Sequence, residues 1–270
     1  MRSLALLMPL LLVACDTAKP IRSICEDHPE LCADLNSDGW CRYERADVIR
    51  SRFELITANQ QQDLLRYRLL VDLEEYSDCI RLAAGITHHK SKEKQSDRGS
   101  AYLNSLAAIK KRQAEIKDST EPHLLYYRLS RFGDMEAQRA FLALEGTGAL
   151  DSLELKEMLA SYYSKLDRPK TIRLLLEALS LKKKGDEVSP DIYHSLASLS
   201  QQERRFREAY VWALISKESG VLDTNFNLLE GQLLRDQKLL GELGKRADRI
   251  LDAIQDNAFT PELAMIDHRQ

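Results

Sequence analysis

Three oxygen-bearing side chains alternate along a short segment near the start of the chain: Asp34, Asn36 and Asp38, followed directly by Gly39. Alternate spacing lets three side chains converge on one centre when the backbone turns sharply, and glycine permits such a turn. Carboxylate and amide oxygens are the ligands that calcium prefers. The segment therefore has two interpretations: an Asx-rich turn that binds its own backbone, which we favour, and a weak, structural calcium site.

The spacing matches the first half of an EF-hand calcium loop, but the second half departs from it. Arg45 stands at the twelfth position, where a bidentate carboxylate is needed, and Glu44 comes one residue early. Cys41, two residues beyond the glycine, resembles the cysteine that accompanies such loops in small extracellular calcium-binding motifs. We therefore expect any calcium affinity here to be low.

Four cysteines, at positions 25, 32, 41 and 79, accompany this segment. An even number in an oxidising compartment predicts two disulfides, with three possible connectivities. Among these we favour Cys25–Cys32 and Cys41–Cys79, since the second bond would fix a small N-terminal cap to the next long helix. A zinc site is the rival interpretation, although the sequence has no Cys-x-x-Cys pair among these residues.

The first fourteen residues have the organisation of a secretory signal: a basic start at Arg2, an apolar run and small residues before Cys15. Leu-Val-Ala-Cys, ending at Cys15, closely resembles the lipobox of bacterial lipoproteins. That resemblance implies cleavage before Cys15, diacylglycerol on its thiol and usually a third acyl chain, such as palmitate, on its amine. Two or three acyl chains anchor a protein stably to a membrane. An ordinary signal peptide with a chance cysteine is the alternative.

Asp16 and the overall charge bear on location and partners. An aspartate after the lipidated cysteine resembles the signal that retains enteric lipoproteins in the inner membrane. We therefore expect the chain on the periplasmic face of the inner membrane, with the outer membrane as the alternative. Removal of residues 1–14, which hold one arginine and no acid, changes the formal net charge from −3 to −4. A mildly acidic chain is not expected to bind nucleic acid.

The remaining residues contain no established catalytic motif among those considered below. His88 and His89 are paired but lie among lysines, which indicates a solvated loop rather than a metal site. The sequence has no His-Glu-x-x-His, no Gly-x-Ser-x-Gly and no lysine-bearing phosphate loop. We therefore expect a protein that is not an enzyme. The alternative is an envelope enzyme that acts on cell-wall glycan through paired carboxylates, whose positions the sequence does not indicate.

The elements that must hold these residues are predicted to be helices. Seven prolines and eleven glycines are few for 270 residues, and apolar residues recur at helical spacing. The sequence predicts an all-α fold: a tetratricopeptide-like helical array with a small disulfide-bonded N-terminal cap. The predicted organisation is a leader (1–14), a lipidated tether (15–24), a cap with long helices (25–90), a charged loop or boundary (87–100), an array (101–255) and a C-terminal tail (256–270).

The array interpretation depends on a repeat. Ala160 and Ala197, each preceded by leucine, lie 37 residues apart, close to the tetratricopeptide period. Lys156 and Ile172 depart from the pattern, so an irregular helical bundle is the alternative. Asp151 with Glu154 predicts one helix start. Further starts are predicted at Ser189-Pro190 and Asp223, and stops at Gly185 and Gly220. Most aromatic residues here are expected in the core, with some lining a concave face; these are Tyr162, Tyr163, Tyr193, Tyr210 and Trp212.

The stretch from Cys25 to Arg45, with Asn-Ser-Asp-Gly-Trp-Cys as its most specific part, resembles a family of lipoproteins from marine and enteric gammaproteobacteria. That family is a domain of unknown function. The resemblance implies location and architecture but no chemistry. With the anchor and the repeat, it leads us to expect a membrane-anchored periplasmic protein that serves as an interaction or scaffold module for an unidentified envelope protein.

Overall fold

The computed structural model describes residues 19–86, 92–221 and 224–266, and the regular structure in these ranges is entirely helical. The all-α class is therefore confirmed for the described part of the chain. Several predicted features lie outside the described residues, namely the leader, Cys15, His88, His89 and Asp223. Among the described helices, none combines the length and apolar character needed to cross a membrane. The chain divides into two compact units, one ending at Leu124 and one beginning at Leu125.

The first unit contains a cysteine-rich segment and three long helices. Its helices are α1 (Ile21–Asp27), α2 (Arg42–Thr57), α3 (Gln62–Ala84) and α4 (Lys92–Glu115), with a 3₁₀ turn at Pro29–Leu31. Helix α3 packs against both α2 and α4, while α1 and the 3₁₀ turn pack against α2. The central position of α3 follows from its sequence, because Leu69, Leu73, Tyr76 and Ile80 form one apolar stripe and are each at most 1% exposed.

Helix α1 begins at Ile21, inside the segment predicted as a tether. Ile24 is 1% exposed and joins the core that the three long helices share. The cysteine-rich segment therefore packs on these helices, as expected for a stretch with too few apolar residues to fold alone.

Helix α4 begins earlier than the sequence suggested. Residues 87–100 were expected to form a charged loop or domain boundary, yet helix α4 starts at Lys92 and the division between units falls after Leu124. Lys, Glu, Gln and Arg are good helix formers, so a stretch without apolar side chains can still be helical. Arg98 is only 2% exposed, so its buried side chain holds the start of this helix against the rest of the unit.

The second unit is a series of helices joined by short connections. Helix α5 (Pro122–Phe132) crosses the division, and the helices after it are α6 (Met135–Ala143), α7 (Leu153–Tyr163), α8 (Arg168–Ser180), α9 (Pro190–Gln202), α10 (Phe206–Glu218), α11 (Phe226–Gln232), α12 (Gln237–Gln255) and α13 (Pro261–Ala264). Helix α7 packs against α8, α9 packs against α10, and α8 also contacts α9. Connections of a few residues fold α8 back on α7 and α10 back on α9.

Side-chain caps fix where these helices start. Ser189 accepts from the N–H of Asp191 ahead of Pro190, as predicted. Helix α7 is capped by Ser152 rather than Asp151, because the Ser152 hydroxyl accepts from the N–H of Leu155. Helix α11 is capped by Asn225 instead of the predicted Asp223.

Of the two predicted helix ends, the one at Gly220 agrees with the structure and the one at Gly185 does not. Gly220 has a φ of 96° and directly follows the last turn of α10, where a left-handed residue is favoured. Gly185 also has a positive φ, but helix α8 has already ended at Ser180, five residues earlier. The lysines at 182–184 therefore follow the helix rather than form its last turn.

The predicted C-terminal tail contains structure. Phe259 is 4% exposed and meets the indole of Trp212 with ring centroids 6.3 Å apart. Helix α13 packs against α8. Phe259, helix α13 and hydrogen bonds from Arg246 to the carbonyls of Leu263 and Met265 thus fix the described part of the tail to the second unit.

Candidate functional site

The four described cysteines form two disulfides, Cys25–Cys32 and Cys41–Cys79. This is the connectivity favoured from the sequence. The first bond closes a small loop in the cap, and the second joins the start of α2 to α3 across a separation of 38 residues. All four sulfurs are engaged, so they offer no thiolates to zinc. The carboxylate of Glu44 lies beside the second disulfide, with an oxygen within 4.8 Å of both sulfurs.

Residues 34–40, here called the Asn36 loop, are organised around a buried amide. Asn36 is fully buried, and its backbone N–H donates to the hydroxyl oxygen of Tyr76 at 3.0 Å. The Tyr76 hydroxyl donates back to Asn36 Oδ1 at 2.9 Å. Asn36 Nδ2 donates to Asp38 Oδ1 at 2.8 Å and to the carbonyl of Trp40 at 2.9 Å. The amide thus satisfies its polar groups within the protein.

Two arginines hold the carboxylates of the Asn36 loop. Arg98 donates to Asp38 Oδ2 from Nε at 2.7 Å and from Nη2 at 2.6 Å. Arg52 binds both oxygens of Asp34, at 2.6 and 2.8 Å. Planar guanidinium groups suit this paired recognition of carboxylates. The loop is therefore fixed to α2 by one ion pair and to α4 by the other.

Titration of these groups follows from their surroundings. Burial acts to raise the pKa of Asp38, but hydrogen bonds from Arg98, the Trp40 N–H and Asn36 outweigh it and hold that pKa below its usual value. Burial raises the pKa of Tyr76 to about 12, so its hydroxyl stays protonated and able to donate. The network has one stable protonation state across the physiological range.

The structure brings Asp34, Asn36 and Asp38 into one loop, as the calcium interpretation requires, but engages their oxygens with protein donors. A calcium ion would have to displace Arg98 from Asp38 and Arg52 from Asp34.

We therefore expect calcium at millimolar concentration to shift the thermal midpoint of the full chain by less than about 1 °C relative to chelator. Differential scanning fluorimetry measures this, and a reproducible rise of several degrees would contradict it. Calcium binding stays a prediction until then.

The aromatic residues singled out from the sequence belong mainly to the core of the second unit. Tyr193, Tyr210 and Trp212 are at most 7% exposed. Tyr193 and Trp212 stack with centroids 6.3 Å apart and an interplanar angle of 11°. The Tyr163 hydroxyl donates to Glu145 at 2.9 Å, which ties α7 to the preceding turn. These side chains stabilise the helix pairs, and a different set of residues faces the most distinctive groove of this unit.

That groove, here called the α7–α9 groove, lies along one face of helices α7 and α9, with α8 contributing to its floor. Its volume is about 440 Å³. It is lined by Glu157, Ala160, Ser161, Ser164, Thr171, Leu175, Asp191, Ile192, His194, Ser195, Ser198 and Leu199. On each of α7 and α9, four lining residues follow the spacing i, i+3, i+4, i+7, so each helix presents one continuous stripe.

Each stripe carries two serines and one acid, Glu157 on α7 and Asp191 on α9, and apolar residues also line the groove. Ser161 and Ser198 occupy matching places 37 residues apart, the same offset that relates Ala160 to Ala197. Sequence reasoning missed the groove because it followed the apolar positions of this repeat. The polar positions, compared at the same offset, would have indicated it.

Glu157 is the unusual group in the α7–α9 groove. Burial, with smaller contributions from the charges of Asp191 and Glu154, raises its pKa to about 7. Among the described residues no hydrogen bond or ion pair of its carboxylate occurs. Glu145, by contrast, pairs with Lys170 at 2.6 Å. The groove therefore holds a half-buried acid with no counter-ion among the described residues.

Replacement of Glu157 by glutamine should stabilise the second unit at alkaline pH. Because the folded state raises this pKa above its usual value of 4.5, the wild type loses stability as the pH rises through 7. After allowance for solvent screening, we expect Glu157→Gln to be more stable at pH 8.5 by on the order of 1 kcal/mol, and equal to the wild type below about pH 4.5. Urea denaturation at several pH values measures the difference. Equal stability at pH 8.5 would contradict the assignment, and exposed Glu136→Gln is the matched control.

Comparison with known proteins adds one finding. A family model described as "Protein of unknown function (DUF2989)" matches residues 12–214 of this chain. No curated protein and no solved structure matches this chain. The matched range includes the Asn36 loop, both disulfides and the whole of the α7–α9 groove, so each of these features lies within the family's common segment.

Proposed function

The chain belongs to the DUF2989 family of proteins of unknown function, and we propose that it is a membrane-anchored periplasmic lipoprotein that binds another envelope protein through the α7–α9 groove. The observation that carries the proposal is the groove itself: two helix faces, each with two serines and one acid, beside buried apolar residues. Polypeptide segments bind such surfaces by placing apolar groups on the floor and bonding the polar walls.

The helix arrangement supports a role in binding. Helix pairs α7–α8 and α9–α10 repeat at an offset of 37 residues, and Ala160 and Ala197 are buried within them. We propose that they form a degenerate tetratricopeptide-like pair, in spite of the departures at Lys156 and Ile172. In helical arrays the first helices of successive pairs line one shared surface, which is available to a partner.

Two disulfides support the proposed location. Such bonds form and persist in oxidising compartments, of which the bacterial periplasm is one. Lipidation at Cys15 would hold the protein at a membrane, and Asp16 favours the inner membrane with the outer membrane as the alternative. Gammaproteobacterial origin is part of the same proposal, since it rests on the resemblance of the segment between Cys25 and Arg45.

Crosslinked affinity capture from membranes tests the interaction. The native anchored chain is crosslinked in cells, extracted in detergent and purified, beside a Cys15→Ser variant that cannot be lipidated. We expect the native chain to fractionate with membranes and retain a defined periplasmic or envelope protein, and the Cys15→Ser variant to lose both properties. Retention of no envelope protein by the anchored chain would refute the proposal.

A second candidate function is hydrolysis of cell-wall glycan. Glu157 has the raised pKa that a general acid needs, and Asp191 supplies a second carboxylate in the same groove. Release of soluble glycan fragments from purified peptidoglycan, abolished by Glu157→Gln, would favour this function. No release at any pH between 5 and 8 would leave the binding function as the better account.

A further inference from the structure

We propose that the α7–α9 groove takes a lysine or arginine side chain from an extended segment of the partner polypeptide, with Glu157 and Asp191 as the recognising carboxylates. The inference rests on the proposed binding function and names the chemistry of its partner. Three features of the groove lead to it: its charge, its cross-section and the hydrogen-bonding character of its walls.

Two acids line the groove, Glu157 on α7 and Asp191 on α9, and the structure shows no ion pair of Glu157 among the residues that it describes. The charge of Asp191 adds to the burial that raises the pKa of Glu157. His194 is the remaining titratable group that lines the groove, and the contribution from α8 is uncharged, consisting of Thr171 and Leu175. A cation placed between the two carboxylates would relieve their repulsion and supply the counter-ion that Glu157 lacks among the described residues.

The cross-section suits a long basic side chain. The apolar part of the lining, the floor of the groove, includes Ala160, Leu175 and Leu199, which are 1%, 4% and 9% exposed. Lysine and arginine carry an apolar stem below a charged head, so the stem can lie on this floor while the head meets the acids. A small cation without a stem would leave the floor in contact with water.

The walls suit an extended backbone. Ser161 and Ser164 lie on one side, and Ser195 and Ser198 lie on the other. Serine hydroxyls both donate and accept, so they can bond the N–H and C=O groups of a peptide without selecting its sequence. Selectivity then comes from the basic side chain, and glycan, which carries no cation of this kind, is the less suitable occupant.

Fluorescence anisotropy with defined peptides tests the proposal. The full chain in detergent is titrated into labelled peptides of alternating serine and lysine, serine and glutamine, or serine and glutamate, at pH 8. We expect the lysine peptide to bind and the other two not to bind. Glu157→Gln should weaken the binding of the lysine peptide about fivefold or more, as should a change to pH 5.5, which protonates Glu157.

Glu136→Gln is the matched control, because it removes the same charge from an exposed position on α6. It should leave the affinity unchanged, which separates recognition in the groove from attraction to an acidic protein. Equal binding of the three peptides, or equal weakening by Glu136→Gln and Glu157→Gln, would overturn the proposal. Displacement of the lysine peptide by peptide-free glycan strands would assign the groove to glycan instead.

Different results would contradict the proposed binding function and the proposed recognition of a basic side chain. If membranes yield a defined envelope partner but the lysine peptide does not bind, the basic-segment proposal is wrong and the binding function stands. If neither occurs, both are wrong. Thermal unfolding of Glu157→Gln accompanies the titrations, and a midpoint at or above that of the wild type shows that lost binding does not reflect lost folding.

Discussion

Arg98→Leu is expected to destabilise the first unit by about 3–5 kcal/mol, because it leaves the carboxylate of Asp38 inside the protein without its counter-ion. Arg98 is 2% exposed, and the Asp38 side chain is 13% exposed. The same guanidinium also donates to the carbonyl of Ala83 at 3.3 Å and lies over the ring of Trp40. Its loss would therefore leave a buried charge and weaken the attachment of the Asn36 loop to α4, where Asp97 and Asn104 also contact the loop.

Urea denaturation followed by Trp40 fluorescence, in a Trp212→Phe background, reports on this unit alone. Arg112→Leu is the control on the same helix, since Arg112 forms an exposed pair with Glu115 and should cost less than about 1 kcal/mol. Addition of Asp38→Asn to Arg98→Leu removes the unpaired charge and should recover part of the loss. A cost for Arg98→Leu no greater than that of Arg112→Leu would show that the buried pair does not stabilise the unit.

Removal of the Cys41–Cys79 disulfide should cost about 4 kcal/mol, against about 2.5 kcal/mol for Cys25–Cys32. The difference follows from the sequence separations of 38 and 7 residues, because a longer closed loop removes more entropy from the unfolded chain. The Cys41–Cys79 bond also holds the start of α2 against α3, so its loss should loosen the Asn36 loop.

Alanine replaces both cysteines of one pair at a time, which avoids free thiols, and urea denaturation compares the two variants with the oxidised wild type. Reduction of the wild type with dithiothreitol should give a loss at least as large as the greater of the two. Equal losses for the two pairs, or a greater loss for the short loop, would contradict the entropic explanation.

Features that depend on neighbouring residues could be predicted from the sequence. Helix periodicity, the Ser189-Pro190 start and the all-helical class are local, and the favoured cysteine pairing needed only the expectation that a small cap must be fixed to a long helix. The start of α4 could not be predicted in the same way. Its stability depends on Arg98 reaching Asp38 across 60 residues of sequence, and no local pattern encodes that contact.

The contacts of the Asn36 loop and the α7–α9 groove also depend on residues far apart in the sequence. Asp34, Asn36 and Asp38 were recognised as oxygen-bearing residues at alternate positions, but the guanidiniums that hold two of them come from α2 and α4. The α7–α9 groove forms only where two helix faces lie side by side, and its signal in the sequence is the 37-residue offset between Ser161 and Ser198. The raised pKa of Glu157 depends on burial, which sequence alone does not supply.

The most direct test of a membrane-anchored binding module is site-specific photocrosslinking in living cells. A photoreactive residue at Ser195, within the α7–α9 groove of the native anchored chain, is compared with one at the exposed Glu136. The account predicts a discrete adduct with one envelope protein from Ser195, absent from Glu136 and lost in Cys15→Ser. No adduct from Ser195, or the same adducts from both positions, would contradict it.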